Sequence, residues 1–179
     1  MRDKNHIWGI GLGRTGTKSL VNALGSLGYS ATHNAPYIKD ILHSSIDCSA
    51  EGVVLRNYKY LDVKFPDSQF ILTTRNLRAW LASCKKAMEV LYPIDGVSKG
   101  SEFYNVMLLN RQARYGCVEY DENKLLEKYY HHHYDVVSHF KGHLDKLLIM
   151  DITNGDGWQT LCPFLELESP SIAFPKVGP

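Results

Sequence analysis

Residues Gly13, Arg14, Thr15, Gly16, Thr17, Lys18 and Ser19 form a short run whose residue types suit an anion. Apolar Ile7, Trp8 and Ile10 precede it. Leu20, Ala23, Leu24 and Leu27 follow at spacings of three and four, which predicts a helix stopped at Gly28. A strand, a glycine-rich turn and a helix in that order make a phosphate cradle. Backbone N–H groups and the positive helix N-terminus face the anion, and glycine lets the backbone approach it. A second anion site follows the apolar run Gln69 to Thr74. Arg75 stands at the carboxyl end of that predicted strand, where open α/β sheets place their ligand crevices. Ser83 lies two turns into the next helix, and helical side chains lean back toward the N-terminus, so its hydroxyl points toward Arg75. An arginine fork with a hydroxyl beside it suits a phosphate monoester.

The first run comes close to the nucleotide-triphosphatase loop G-x-x-x-x-G-K-[ST] but departs at one position. Thr17 stands where that loop carries lysine, and Lys18 comes one residue late. The run therefore reads as a phosphate binder not built for Mg-ATP.

The elements that must position these residues alternate along the chain. Tyr29 to His33 predicts a short strand, and Ile38, Ile41 and Leu42 a brief helix. Gly52 to Leu55 is a short apolar run, with Tyr58, Leu61 and Phe65 following at helical spacing. Gln69 to Thr74 is a buried strand. Leu77, Trp80, Leu81, Cys84, Met88 and Leu91 trace one face of a long helix closed by Pro93 and Gly96. Residues 97–143 read as a mainly helical, substrate-facing cap with a break near Gly116. Lys146 to Ile152 is a further strand, Trp158 to Leu165 a final helix, and the tail from Ser169 to Pro179 extended. Alternating strands and helices imply a parallel sheet covered on both faces. The expected fold class is thus α/β, P-loop NTPase-like, three-layered α/β/α, with a central parallel sheet of about five strands. Residues 1–179 read as a single domain.

Bulk properties fit an intracellular enzyme. A formal net charge of +1 gives no general attraction to nucleic acid or anionic membrane, so an anion site must be local. Cys48, Cys84, Cys117 and Cys162 are widely spaced and read as reduced thiols. With no signal peptide and no apolar segment near twenty residues, no membrane span and a cytoplasmic location are expected. His131, His132 and His133 are consecutive and project about 100° apart on a helix, so they do not share one metal ion. His132, Asp135, His139 and His143 read as a polar solvated face. His133 falls within the stripe of Leu126, Tyr129, Val136 and Phe140.

Two elements in this order and partition resemble the sulfotransferases that use 3′-phosphoadenosine 5′-phosphosulfate. There a [KR]-[ST]-G-T loop grips the 5′-phosphosulfate and an Arg-x7-Ser element grips the 3′-phosphate. This chain has Arg14-Thr15-Gly16-Thr17 and Arg75 to Ser83. It is most similar to the compact branch with a GRTGT-x-SL loop and an ending seen here as Gly157-Trp158, Leu161-Cys162, Phe164-Leu165 and Phe174-Pro175. It lacks the C-terminal RKG element of the cytosolic branch, and Lys176 is the basic residue left to replace it. The resemblance implies a donor held by Gly13 to Ser19 with Arg75 and Ser83, adenosine 3′,5′-bisphosphate as product, and no required metal. It also implies a small-molecule, lipid or glycan acceptor carrying a hydroxyl or amine.

For in-line sulfuryl transfer, Arg14 and Lys18 are the cations available to the departing oxygen. A general base is needed at the acceptor. His33 ends the second predicted strand, where related glycan and tyrosyl-protein sulfotransferases carry a catalytic glutamate. Glu51 lies near the position of the cytosolic branch's catalytic histidine, and Asp47 is close by. Two other readings stay open. One is a P-loop small-molecule kinase with Leu147 to Asp151 as its acidic Mg-binding strand. The other is a non-catalytic nucleotide-binding module.

Overall fold

Side chains alternate across a strand, so a sheet covered on both faces must be apolar at every position. A computed structural model of the chain, describing residues 5–35, 37–42, 45–91 and 98–177, shows five strands, the central ones the most deeply buried. They are β1 (Ile7–Gly9), β2 (Ala31–His33), β3 (Cys48–Ala50), β4 (Gln69–Thr73) and β5 (Leu147–Met150). All pair in parallel in the order β2-β3-β1-β4-β5, with Gly9 opposite Ala50 on one side and Ile71 on the other. Seven α-helices connect them among the described residues: α1 (Thr17–Ser26), α2 (Lys39–Leu42), α3 (Val53–Lys64), α4 (Leu77–Lys86), α5 (Glu102–Tyr115), α6 (Glu122–His139) and α7 (Trp158–Phe164).

The alternation sorts the core into layers. Trp8, Ile10, Phe70 and Leu72 face α3 and α6, where they meet Val54, Tyr58, Val136 and Phe140. Ile7, Cys48, Ile71 and Met150 face α1 and α7, against Leu20, Leu24, Trp158 and Leu161. The fold is therefore the three-layer α/β/α class, with β1 in the middle. A third cluster of Leu12, Trp80, Cys84, Tyr115 and Leu125 ties α4, α5 and α6 together near the phosphate loop. All four cysteines are buried, and none forms a disulfide among the described residues. No helix among the described residues is long and apolar enough to cross a membrane.

Several elements differ from the pattern reading. The apolar run at Gly52 to Leu55 is the entry to α3, and the strand is the less apolar Cys48–Ala50 just before it. Three residues held between β1 and β2 need no strand-like run of their own. The helix after Arg75 ends as α4 at Lys86 and continues as a π-helical turn, Ala87–Leu91. Its expected stops, Pro93 and Gly96, lie outside the described residues, as does the end of the extended tail.

His132 and His139 are not on a solvated face. His139 lies 2.9 Å from Asp62, which also pairs with Lys146. His132 is buried and its Nε2–H donates to the carbonyl of Ile10, just past the end of β1, at 2.6 Å. That carbonyl has run beyond the ladder and takes a side-chain donor instead. Burial pushes the His132 pKa down to about 4, against the pull of the Ile10 carbonyl, so the ring stays neutral. An unfolded imidazole takes its proton near 6.5. The unfolded chain therefore gains the proton first, and this contribution to stability is complete above about pH 6.5 and lost as pH falls toward about 4. Denaturation midpoints are expected to drop across that window. His132→Gln, which keeps a donor for Ile10, is expected to flatten the drop.

Candidate functional site

The loop between β1 and α1 is fixed from beneath by its own residues. Thr15 Oγ1 donates to the Leu12 carbonyl at 2.6 Å and lies 2.7 Å from Thr73 Oγ1. Trp80 Nε1 donates to the Gly13 carbonyl at 2.9 Å. At Gly11 a Cβ would stand 1.9 Å from Thr73 Oγ1, so only glycine lets the loop pass so close to β4. Gly16, at φ +100°, turns the chain into α1 with no side chain capping the helix. The N–H groups of the first turn are left for a ligand or water.

These elements open onto one cavity of about 960 Å³ at the carboxyl ends of the strands. Of the residues expected to bind or react, Arg14, Gly16, Thr17, Lys18, Ser19, His33, Glu51, Arg75 and Ser83 line it. Gly13 and Thr15 do not: they shape the loop from inside. Among the described residues, seven cations line the cavity (Arg14, Lys18, Arg75, Lys86, Arg111, Arg114 and Lys176) against one carboxylate, Glu51. The chain thus concentrates positive charge locally while remaining near neutral overall.

Arg14 joins the two anion elements. Its backbone is left-handed, at φ +74°, its Nε donates to Ser83 Oγ at 3.1 Å, and its carbonyl accepts from Arg75 Nη1 at 3.1 Å. The Arg75 carbonyl accepts from Tyr129 Oη at 2.8 Å, and His133 stacks on Tyr129 with Nε2 3.2 Å from Thr74 Oγ1. Arg75 Nε is buried without a hydrogen-bond partner among the described residues. Arg14, Arg75 and Ser83 all line the cavity, and guanidinium groups with a hydroxyl on one wall suit a ligand phosphate. Lys18 is exposed at the cavity and forms no hydrogen bond or ion pair within the described residues. Ser19 Oγ accepts from the Val177 N–H at 2.9 Å, which brings the tail and Lys176 to the cavity's edge. The tail is held there by Phe174 against Trp158 and by Trp158 Nε1 donating to the Ile172 carbonyl.

His33 and Glu51, which compete for one role in the sequence, are partners in the fold. β2 and β3 are neighbours, and His33 pairs in register with Ala50. His33 Nε2 lies 3.0 Å from Glu51 Oε2, and Thr17 Oγ1 donates to the same oxygen at 2.9 Å. Arg114 Nε lies 3.0 Å from Glu51 Oε1, close enough to pair as charges though not aligned as a hydrogen bond. Burial pushes the Glu51 carboxyl up, but the bond from His33 and the Arg114 charge outweigh it and hold it below the usual range. Glu51 sits at φ +67°, a conformation side chains rarely adopt. Asp47 lies at the other end of β3, accepts from the Ser30 N–H, and does not line the cavity.

Arg114, Arg111, Asn110 and Met107, all on α5, escaped the sequence reading. Their one signal was spacing, since 107, 110, 111 and 114 share a helical face. α6 instead packs Val136 and Phe140 against the sheet. The acidic strand end is committed elsewhere: Asp151 Oδ1 accepts from Thr153 N, Thr153 Oγ1 and Asn154 N, and Asp151 does not line the cavity.

A family model described as a sulfotransferase domain matches residues 39–178. That stretch holds Glu51, Arg75, Ser83, Arg114 and the tail. The phosphate loop precedes it and is joined to it by the pairing of β1 with β3 and β4. No curated protein matches the chain.

Proposed function

The chain belongs to the sulfotransferase family, and on that premise we propose that it moves a sulfuryl group from 3′-phosphoadenosine 5′-phosphosulfate to a hydroxyl or amine acceptor by in-line displacement. The observation that carries this reading is a single cavity lined by both anion-binding elements, with a paired histidine and carboxylate in its wall. A volume of about 960 Å³ holds a nucleotide with room for an acceptor.

The donor supplies a sulfur whose bridging oxygen leaves with the phosphate. In this reading the first turn of α1 and Lys18 hold the 5′ end, and Arg75, Ser83 and Arg14 hold the 3′-phosphate. Lys18 places its ammonium at the departing oxygen, where charge grows as the bond to sulfur breaks. His33 takes the acceptor's proton on Nδ1, which forms no hydrogen bond among the described residues, while the acceptor oxygen or nitrogen bonds to sulfur. Glu51 keeps Nε2–H in place and balances the imidazolium that forms. Sulfuryl carries less negative charge than phosphoryl, so side-chain cations meet its demand and no metal is required. Glu51, with its oxygens already facing three donors, positions His33 in this scheme.

A ligand that binds only the folded state raises its melting temperature. Adenosine 3′,5′-bisphosphate at roughly 100-fold excess over its Kd is expected to raise the midpoint by several degrees without added metal. Mg-ATP is expected to leave it nearly unchanged. A rise from Mg-ATP alone would favour a kinase site and overturn the proposal.

A further inference from the structure

On the sulfuryl-transfer reading above, we propose that Arg114, reaching from α5, is a positioning residue that keeps Glu51 a pure acceptor and so decides which nitrogen of His33 carries the ring proton. Glu51 is only 4% exposed, and its two oxygens are divided: Oε2 meets Thr17 and His33, and Oε1 meets Arg114. A buried carboxylate without a cation favours its neutral form. Protonated, Glu51 would donate to His33 Nε2, and the ring's proton would then sit on Nδ1. That tautomer presents no lone pair to the cavity and is no base. With the guanidinium on Oε1, Glu51 stays ionised, Nε2 carries the hydrogen, and Nδ1 is left as acceptor. During transfer the substrate's proton moves to Nδ1 and Nε2–H stays on Glu51. The pair thus ends as imidazolium and carboxylate, with no proton lost.

Other charged or titratable groups face this pair from each neighbouring element: Arg14 from the loop, Lys18 from α1, Arg75 after β4, Cys84 from α4 and Tyr115 beside Arg114. Burial pushes the Cys84 thiol up to about 12 and the Tyr115 phenol higher still, so both stay neutral. The three remaining cations line the cavity but do not touch Glu51, which leaves Arg114 as the cation bearing on its second oxygen. Arg114 shares its helix face with Met107 and Asn110, which also line the cavity. Base competence therefore depends on α5 keeping its place in the cavity wall.

Nitrogen-detected imidazole spectra of His33, recorded across pH without donor or acceptor, test this directly. The wild-type ring is expected as the Nε2–H tautomer. In R114Q the tautomer should shift toward Nδ1–H and the titration should rise by about one pH unit, with R114K restoring both. Arg114→Met, which keeps the packed aliphatic stem, serves in place of R114Q should that variant fail to fold. In turnover, the acid limb of kcat/KM should move up in parallel, while adenosine 3′,5′-bisphosphate affinity stays within about twofold. An unmoved tautomer and titration in R114Q, or an R114K no better than R114Q, would overturn the inference. So would loss of bisphosphate affinity with His33 unchanged, which would make Arg114 a donor ligand. Spectra as expected, in a protein that transfers no sulfuryl group, would instead overturn the functional reading and leave the inference standing.

Discussion

His33→Ala is expected to lower kcat by roughly 10²–10⁴-fold, the usual scale for losing a general base, with little change in adenosine 3′,5′-bisphosphate binding. The separation follows from the geometry. His33 ends β2, and its Nε2 is taken by Glu51 and Thr17, whereas the groups proposed to hold the phosphates sit on α1, in its loop, just after β4 and on α4. Alanine removes the proton acceptor and leaves those groups in place. Single-turnover rates with calorimetric affinities distinguish the two effects. Near-normal turnover in His33→Ala, together with a large loss in Glu51→Ala, would hand the proton to Glu51.

Arg75→Ala is expected to weaken adenosine 3′,5′-bisphosphate binding by roughly 1.5–3 kcal/mol, typical of a hydrogen bond to a charged group. Adenosine 5′-phosphate should lose much less. Arg75 lines the cavity with Nη1 spent on the Arg14 carbonyl, so the rest of its guanidinium fork is what it offers a ligand. The difference between the two nucleotides isolates what Arg75 does for the 3′-phosphate. Equal losses would mean that Arg75 acts through the loop, by holding the Arg14 carbonyl, and not by reading that phosphate.

Much of this arrangement was legible in the chain. Apolar runs announce strands, and Phe70 to Leu72 and Leu147 to Met150 do so. Short strands do not: Cys48–Ala50 owes its place to β1 and β2 on either side, and no periodicity marks it. Loop and helix order placed Arg14, Lys18, Arg75 and Ser83 around one crevice because local geometry sets each of them. The pairing of His33 with Glu51 was hidden, because it depends on the sheet order and no local pattern reports that. His132 was misread for a related reason. A helical wheel shows which residues share a face but not what stands opposite, and here a strand's last carbonyl does. Arg114 is the extreme case, since its partner lies 63 positions away and its helix has no apolar stripe pointing to the site.

The central proposal is sulfuryl transfer, and the most direct measurement follows the sulfur. Purified protein is incubated with ³⁵S-labelled 3′-phosphoadenosine 5′-phosphosulfate, a chelator, and a panel of alcohols, phenols, amines, glycans and lipids. The expected result is label carried on at least one acceptor, with one adenosine 3′,5′-bisphosphate released per label transferred and the reaction lost in His33→Ala. Label that stays on the donor across the whole panel, in a protein that still binds adenosine 3′,5′-bisphosphate, would contradict the proposal and make the cavity a nucleotide-binding site without transfer.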